Sequence, residues 1–442
     1  MHPDKPGNYQ FGSGTLVLHK SGEAKASLPI CLEYEQNCHA ISGSSWSIPF
    51  LHGLSSFPDV NSLYNEFSAS TGTFELAPVQ QREVNRSMSN NKLPGPSASS
   101  LQQHVCSTPE SIAALRDAVE VDSSLQELLV NKHILTIKDF DASLLSQIFR
   151  LAATYELGET PGCILKGKIL GSVYFNEARE HTFLASASAW KRLGGETLDF
   201  DQYVDEISLK RYMQVEFSEL CNSYCDILAI RTPDSETFDM DLDYFTIPVI
   251  NLGNGEDLHP TLAMSELYTI FKWRPDLLRE STISGERLRI AISGNPATTR
   301  AIRSFLHGLA QFPWAIEKIT IVGRNAFPLD EEQKAYLHAA GLHIEYANEL
   351  YPLESMMGAV RKVLPETDVA YFYHPYSANS ARMNLVDAYS SLKRDALVLN
   401  PQIQNEMATV LLKDSPHNCH CSQLRGTLYI KMALFALIFR KA

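Results

Sequence analysis

The chain lacks the features that mark a membrane protein or a nucleic-acid-binding protein. No apolar run in its 442 residues reaches the roughly 18 residues that a membrane-spanning helix needs. The formal net charge is −13, which argues against nucleic acid or an anionic membrane surface as the main partner. The first residues do not show the basic segment and apolar core of a secretory signal peptide. We therefore expect a protein that acts on small molecules, away from membranes and nucleic acids.

Cysteine is scarce and scattered. Eight cysteines in a chain of this length form no framework of paired spacings, which predicts reduced thiols and a cytoplasmic location. One cluster, His417, Cys419, His420 and Cys421, raises the possibility of a metal site. Its Cys-His-Cys spacing lacks the gap of roughly two to four residues between the ligands of structural zinc sites. We expect neither a metal nor a cofactor.

Residues 1–106 have little hydrophobic periodicity and are rich in Ser, Asn, Gly and Pro. This composition predicts a polar, poorly ordered N-terminal extension with a linker-like segment at 87–100. Acidic residues such as Asp4 and Glu23 disfavour an organellar transit peptide. A polar leader of this kind also suits a bacterial protein that is exported by an injection system, and composition leaves both interpretations open.

The stretch 247–273 predicts a ligand-binding turn. It begins with the apolar run Ile-Pro-Val-Ile, which indicates a buried strand, and continues through a glycine-rich turn to His259 and Pro260. Pro260 suits the first turn of the helix that follows. His259 is thus placed between the end of a strand and the start of a helix, where open α/β sheets bind ligands. The alternative is a histidine at the start of a helix whose ring is satisfied by protein neighbours.

Strands and helices alternate from residue 107 onward, which predicts an α/β fold with two doubly wound parallel-sheet lobes. We predict a first lobe at 107–280, a second at 281–425, and a C-terminal helix at 426–442 that returns to the first lobe. A cleft is expected between the strand ends of the two lobes. The predicted strands are 165–175, 197–200, 226–231, 247–250, 288–294, 319–323, 343–346, 368–374 and 396–400.

Several motifs, in order over roughly residues 130–440, resemble those of the aspartate/ornithine carbamoyltransferase family. They are LKGKIL at 165–170, RTP at 231–233, IPVINLGNGEDLHPTLAMSELYTI at 247–270 and IAISGNPATTRAIRS at 290–304. The sequence ELYTI, and the absence of a His-Cys-Leu-Pro motif, favour the aspartate branch. The resemblance implies transfer of a carbamoyl group from carbamoyl phosphate to an amine without a metal. It also implies a homotrimer whose active sites lie across subunit interfaces.

The phosphate loop departs from the family pattern. Where the family reads Ser-Thr-Arg-Thr-Arg, residues 179–183 read Arg-Glu-His-Thr-Phe, and only Thr182 is kept. His181 replaces the central arginine, and Phe183 replaces the last one. Glu180 carries a charge that opposes a phosphate dianion. Arg179 restores one cation, which either reaches the phosphate or pairs with Glu180.

The residues that touch the carbamoyl group in the family are kept in part. Arg231 and His259 match residues that contact the carbamoyl oxygen. Leu262 replaces a glutamine and removes a partner for the carbamoyl amide. The resemblance therefore implies a donor site that keeps its oxygen-binding groups and loses one amide contact.

Three further positions are assigned by the resemblance to substrate binding. Lys210 has the spacing from Arg231 of a family lysine that enters a neighbouring subunit's site, although it also suits a solvated surface lysine. Arg300 matches an arginine that binds the acceptor's carboxylate, and His374 stands where a second such arginine is expected.

Two hypotheses follow. The first is a divergent carbamoyltransferase that moves a carbamoyl or related acyl group from an acyl phosphate to the amine of an amino-acid-like acceptor. Its predicted residues are Thr182, Arg231 and His259 for polarising the carbonyl, Arg179, His181 and Lys210 for the phosphate, and Arg300 and His374 for the acceptor. The second is an inactive family member that serves as a binding or interaction protein, including an exported effector. Phe183, Glu180 and Leu262 favour the second hypothesis, whereas the retained Thr182, Arg231, His259 and Arg300 favour the first.

Overall fold

The computed structural model divides the chain into two compact units, residues 1–94 and 95–442. It describes residues 7–11, 14–18, 24–27, 108–174, 180–200, 214–232, 242–255, 257–282, 285–324, 329–349, 362–372, 391–400, 415 and 417–441. In the first unit, β1 (Gly7–Phe11), β2 (Gly14–Leu18) and β3 (Ala24–Ser27) form an antiparallel three-stranded sheet. These three strands were not predicted from the sequence.

The second unit opens with helices whose starts are marked by side-chain caps. They are α1 (Pro109–Asp117), α2 (Ser123–Glu127) and α3 (Ala142–Glu156). The Thr108 side chain accepts a hydrogen bond from the Ser111 N–H, and Asp141 Oδ1 accepts one from the Leu144 N–H at 2.8 Å. Such caps satisfy donors that the first turn of a helix leaves unpaired. The helix starts at Thr108 and Asp141 are therefore fixed by the side chains of these two residues.

A four-stranded parallel sheet forms the first lobe. Its strands are β4 (Ile169–Tyr174), β5 (Glu196–Asp199), β6 (Ile227–Thr232) and β7 (Val249–Asn254), in the order β5-β4-β6-β7. The helices that accompany them are α4 (Glu180–Arg192), α5 (Gln214–Tyr224) and α6 (Pro260–Trp273). Gly194, with φ at 87°, ends the turn after α4 in the left-handed region that favours glycine.

A five-stranded parallel sheet forms the second lobe. Its strands are β8 (Leu288–Ser293), β9 (Ile316–Arg324), β10 (Ile344–Glu349), β11 (Val369–Phe372) and β12 (Leu397–Leu399), in the order β10-β9-β8-β11-β12. Within the described residues of this lobe, the helices are α7 (Arg300–Leu309) and α8 (Glu331–Ala339). The prediction of two parallel-sheet α/β lobes is confirmed, and the exact lobe boundaries stay predictions.

The last helix, α9 (His420–Ile438), packs against α3, α4 and α6 of the first lobe. Its buried side includes Ile430, Met432, Leu434 and Phe435, and the Phe435 ring meets Trp190 of α4 edge-on at 5.0 Å. No helix in the described part of the chain is both long enough and apolar enough to span a bilayer.

Both sheets have a switch point where successive strands lie on opposite sides of the first strand. In the first sheet it lies between β4 and β6, and in the second it lies between β8 and β11. Ligands in open α/β sheets bind outside the carboxyl ends of the strands at such points. Arg231 is near the carboxyl end of β6, and Arg300 begins the helix that follows β8. The topology therefore places both arginines at switch points.

Close packing of α6 against α7 joins the lobes near these positions. An added Cβ at Gly308 of α7 would lie only 2.8 Å from Leu267 Cδ1 of α6. Glycine at this position thus lets the two helices approach closely. The two helices that begin at His259 and at Arg300 are therefore packed against each other about two turns further along.

Candidate functional site

The turn between β7 and α6 is held by asparagine side chains. Asn251 Oδ1 accepts a hydrogen bond from the Gly253 N–H at 2.7 Å, and Asn254 Oδ1 accepts one from the Leu258 N–H at 2.9 Å. Gly253 has φ at 121° and Gly255 has φ at 50°, conformations that favour glycine. The sequence Asn-Leu-Gly-Asn-Gly therefore fixes the path of the chain into His259.

His259 is buried at the N-cap of α6, as predicted. Its backbone N–H donates to Ser304 Oγ of α7 at 2.7 Å, and its Nδ1 has no partner among the described residues. Burial, followed by the charges of Arg231, Arg300 and Lys431, lowers the pKa of His259 well below its ordinary value. The ring is therefore a neutral imidazole at physiological pH, and one of its nitrogens is suited to donate a hydrogen bond to a substrate oxygen.

Arg300 stands beside His259 across the lobe contact. A Cβ added to Gly253 would lie 3.1 Å from Arg300 Nε and 3.5 Å from His259 Cδ2. The Arg300 guanidinium donates to the carbonyl oxygen of Gly255 in the same turn. The second lobe thus contributes a cation to a turn that belongs to the first lobe.

Arg231 approaches the same place from the sheet. It is half-buried in β6, where it pairs with Tyr174 of β4 in the parallel ladder. Its charge is close enough to lower the pKa of both His259 and Lys431. Arg231 therefore lies close enough to His259 for its charge to act on the imidazole, and its role in substrate binding stays a prediction.

Thr182 lies in the first turn of α4, and its carbonyl oxygen accepts two hydrogen bonds. One comes from Ser186 Oγ at 2.9 Å, and the other comes from Lys431 Nζ of α9, also at 2.9 Å. Lys431 was not among the predicted site residues. Its signal in the sequence is a single lysine inside the apolar stretch KMALFALIF at 431–439. Such a lysine in a helix that packs on the first lobe has to be partnered inside the protein.

Phe183, which stands where the family pattern has its last loop arginine, packs toward the core. Its ring meets that of buried Tyr174 edge-on, with centroids 5.4 Å apart and an interplanar angle of 88°. This geometry is favourable for two aromatic rings. The side chain therefore acts as a packing group on β4 and offers no contact to a phosphate.

Contacts and charge effects in the structure relate four of the predicted residues to one another, through the Gly253 turn, the charges that act on His259 and the hydrogen bond from Lys431 to Thr182. These four are Thr182, Arg231, His259 and Arg300. The predicted Arg179, Lys210 and His374 lie outside the described residues, as does the side chain of His181. Their roles stay predictions.

The cluster near the start of α9 has ordinary protein partners. His417 Nδ1 lies 2.8 Å from the carbonyl oxygen of Ala396, and the thiol of Cys419 donates to the carbonyl oxygen of His417. Cys419 is buried and Cys421 is exposed. Within the described ranges, no group of three or more His, Cys, Asp or Glu residues is arranged to hold a metal ion.

Comparisons with known proteins agree with this geometry. Residues 132–272 match the family model described as aspartate/ornithine carbamoyltransferase, carbamoyl-P binding domain. The chain is 28% identical over 319 residues to the aspartate carbamoyltransferase catalytic subunit of Methanosarcina acetivorans, covering 70% of this chain and 98% of that protein. Residues 132–272 therefore carry the carbamoyl-P binding domain of the aspartate/ornithine carbamoyltransferase family.

Other relatives place it near the aspartate branch. The chloroplastic aspartate carbamoyltransferase of Arabidopsis thaliana is 27% identical over 309 residues, covering 68% of this chain and 76% of that protein. The fold is similar to that of aspartate transcarbamoylase from Trypanosoma cruzi in complex with N-(phosphonacetyl)-L-aspartic acid. That likeness has a TM-score of 0.57 at 22% identity and covers 70% of this chain and 95% of the other. The family predicted from the sequence motifs is confirmed, and these relatives agree with the prediction that favoured an enzyme.

Proposed function

We propose that this family member is a carbamoyltransferase of the aspartate carbamoyltransferase type with a divergent phosphate loop. It transfers a carbamoyl or related acyl group from an acyl phosphate to the amine of an amino-acid-like acceptor. The observation that carries the proposal is the meeting of Arg231, neutral His259 and Arg300 at the switch points of the two sheets. These groups supply charge and a hydrogen-bond donor where a carbonyl oxygen and an anionic acceptor have to be held.

In the proposed reaction, the lone pair of the acceptor amine forms a C–N bond with the carbonyl carbon. The C–O bond to phosphate then breaks, and the phosphate leaves with that oxygen and with the proton released by nitrogen. Negative charge develops on the carbonyl oxygen, where Arg231, His259 and Thr182 stabilise it. Holding both reactants in a defined orientation supplies much of the remaining rate enhancement.

The substrate-binding roles follow from the resemblance. Arg179, His181 and Lys210 would hold the phosphate end of the donor, and Arg300 and His374 would hold a carboxylate of the acceptor. A guanidinium is well suited to a carboxylate because its planar N–H groups match the two oxygens. In the present structure Arg300 donates to the Gly255 carbonyl oxygen, so an acceptor carboxylate would share the guanidinium with that turn.

We also propose that the protein is a homotrimer, because Lys210 resembles a lysine that completes a neighbouring subunit's site. A cytoplasmic location is proposed because the scattered cysteines are typical of reduced thiols. Light scattering at micromolar protein concentration tests the assembly. A strictly monomeric species would contradict the shared-site role of Lys210.

The test of the reaction combines binding with transfer. Carbamoyl phosphate, inorganic phosphate and a bisubstrate phosphonate should each raise the melting temperature, because ligands that bind the native state stabilise it. Carbamoyl phosphate is then incubated with a panel of amino acids, and carbamoylated products are sought by mass spectrometry. Stabilisation together with one carbamoylated acceptor is the expected outcome. The absence of both contradicts the proposal.

One observation favours a second candidate, a binding protein without turnover. Phe183 is packed against Tyr174, so the position of a family phosphate-binding arginine is used for packing. This candidate predicts that the phosphonate stabilises the protein although no amino acid in the panel becomes carbamoylated. The two candidates are therefore separated by the same experiment.

A further inference from the structure

Lys431 is a buried cation whose charge is not balanced by any described carboxylate. The residue is 2% exposed, and its Nζ donates to the Thr182 carbonyl oxygen at 2.9 Å and to Ser186 Oγ at 2.8 Å. Both acceptors are neutral groups of α4. In the part of the chain that the structure describes, no carboxylate lies within ion-pair distance of this ammonium.

A second buried lysine shows how the same fold satisfies a buried charge when its role is structural. Lys272 of α6 is 0% exposed and forms an ion pair with Glu156 of α3, Nζ to Oε2, at 3.0 Å. The same carboxylate accepts a hydrogen bond from the Tyr268 O–H at 2.7 Å. Buried charges are normally paired in this way. Lys431 departs from the rule although α9 packs directly against α6 and α3.

Among the described residues, the charged neighbours of Lys431 are cations and add to the positive charge around it. Burial, followed by the charge of Arg231 on β6, lowers the pKa of Lys431 to about 7. His259 lies within the field of Lys431 and of Arg300 on α7. On α6, burial raises the pKa of Glu266 well above its ordinary value, so this carboxyl, which accepts from Tyr371, brings no negative charge.

The partners of Lys431 connect this charge to the predicted donor site. Thr182 and Ser186 lie in the first two turns of α4, so the ammonium ties the start of that helix to α9. The N-terminus of a helix favours an anion through its backbone N–H groups and its dipole. An anion bound there would supply the negative charge that the surroundings of Lys431 lack.

We propose that Lys431 is a positioning residue for the phosphate end of the substrate. The Lys431 ammonium holds the first turn of α4 in place. A bound phosphate-type dianion balances the positive charge of this ammonium, so Lys431 takes up a proton when the anion binds. The inference rests on the proposed function for the identity of the anion. Lys431 itself acts through α4 and through its charge.

The sign of the pH dependence follows from the free and bound states. Without ligand, Lys431 loses its proton as the pH rises through about 7, whereas a bound dianion favours the charged ammonium. Binding above pH 7 therefore takes up a proton. Affinity for phosphate should fall as the pH rises from 7.5 to 9, by at most about tenfold per pH unit for one proton.

The experiment is isothermal titration of the full-length protein with inorganic phosphate and with the bisubstrate phosphonate. Titration at pH 8 in two buffers of different ionisation enthalpy gives the number of protons taken up. The wild type should take up a proton. Lys431→Arg should keep affinity at pH 8.5 and lose the uptake, because its guanidinium stays charged. Lys431→Met should lose the uptake and bind phosphate about tenfold more weakly at pH 7.5.

The matched control is the double variant Lys272→Met/Glu156→Gln, which removes a buried lysine outside the site. It should retain the wild-type proton uptake. If Lys431→Met does not fold, Lys431→Arg carries the test by itself. Uptake that persists in Lys431→Arg, or a wild type that binds neither ligand, would overturn the inference.

A carbamoyl-transfer assay on the same variants separates this inference from the proposed function. Proton uptake that depends on Lys431, in a protein that transfers nothing, would contradict the proposed reaction and support the role of Lys431. Normal transfer with uptake that does not depend on Lys431 would contradict only the present inference.

Discussion

The backbone N–H of His259 donates a hydrogen bond to Ser304 Oγ at 2.7 Å, and this buried contact joins the turn of the first lobe to a helix of the second. The side chain of Ser304 is therefore the partner of a main-chain donor at the N-cap of α6. The position of the His259 backbone sets where the His259 ring can lie. The hydrogen bond to Ser304 therefore links the lobe interface to the candidate site.

Replacing Ser304 by alanine should lower the free energy of unfolding and reduce carbamoyl transfer. The change leaves the buried His259 N–H without a partner, which costs about 1–3 kcal/mol. Urea unfolding measures the loss of stability, and steady-state kinetics measures the loss of transfer. The control is Ser265→Ala, since Ser265 is equally buried but donates to the Thr261 carbonyl oxygen within its own helix. Equal effects on transfer from both variants would contradict a special role for the Ser304 contact.

Gly253→Ala should impair acceptor binding in addition to destabilising the fold. Gly253 has φ at 121°, and an added Cβ would press on Arg300 Nε from 3.1 Å. The matched control is Gly341→Ala, where φ is 82° and no heavy atom lies within 4 Å of the added Cβ. Both variants should lose on the order of 1 kcal/mol of stability through backbone strain. Only Gly253→Ala should raise the KM for the acceptor, and an unchanged KM would place Arg300 outside the acceptor site.

Arg231→Ala should abolish carbamoyl transfer and leave the fold intact. Removal of a preorganised donor beside a developing oxyanion typically raises the barrier by about 3–4 kcal/mol. The measurement is kcat, with circular dichroism and the melting temperature as checks on folding. Arg289→Ala is the control, because Arg289 also lies in a parallel strand but pairs with Glu317 away from the site. Wild-type turnover in Arg231→Ala would show that Arg231 is structural.

His307 should make the fold sensitive to acid. This residue of α7 is 1% exposed, and neither ring nitrogen has a partner among the described residues. Burial, followed by the charges of Lys138 and Arg303, lowers the pKa of His307 to about 3. Between about pH 3 and pH 6.5, His307 therefore binds a proton in the unfolded chain and not in the folded chain. His307 therefore lowers stability as the pH falls below about 6.5, by at most about 1.4 kcal/mol per pH unit.

Urea unfolding between pH 6.5 and 4.5 checks this prediction with His307→Leu. The free energy of unfolding of this variant should fall less steeply with decreasing pH than that of the wild type. Between neutral pH and pH 5, the variant should therefore lose less stability than the wild type loses. His338→Gln is the control, because His338 is exposed on α8 and stays in contact with water in both states. An unchanged slope in His307→Leu would mean that another group causes the acid sensitivity.

Much of the fold was predictable because its signals are local. The N-caps Thr108 and Asp141, the apolar strand runs and the glycine that ends α4 each depend on neighbouring residues in sequence. Motif order then indicated the family and four residues of the site. The strands β1 to β3 were not predicted, since each is only four or five residues long and the segment around them is rich in turn-forming Gly, Pro and Ser.

The sequence by itself determined the class of fold, the family and the types of residue at the donor site. Only the tertiary structure decided that Lys431 of the last helix hydrogen-bonds to Thr182, 249 positions earlier in the chain. It also decided that Phe183 packs onto Tyr174 and that burial among three cations keeps His259 neutral. The physical reason is that desolvation and Coulomb interaction depend on distance in space. Residues far apart in sequence acquire their charge state and their partners only when α9 packs against the first lobe.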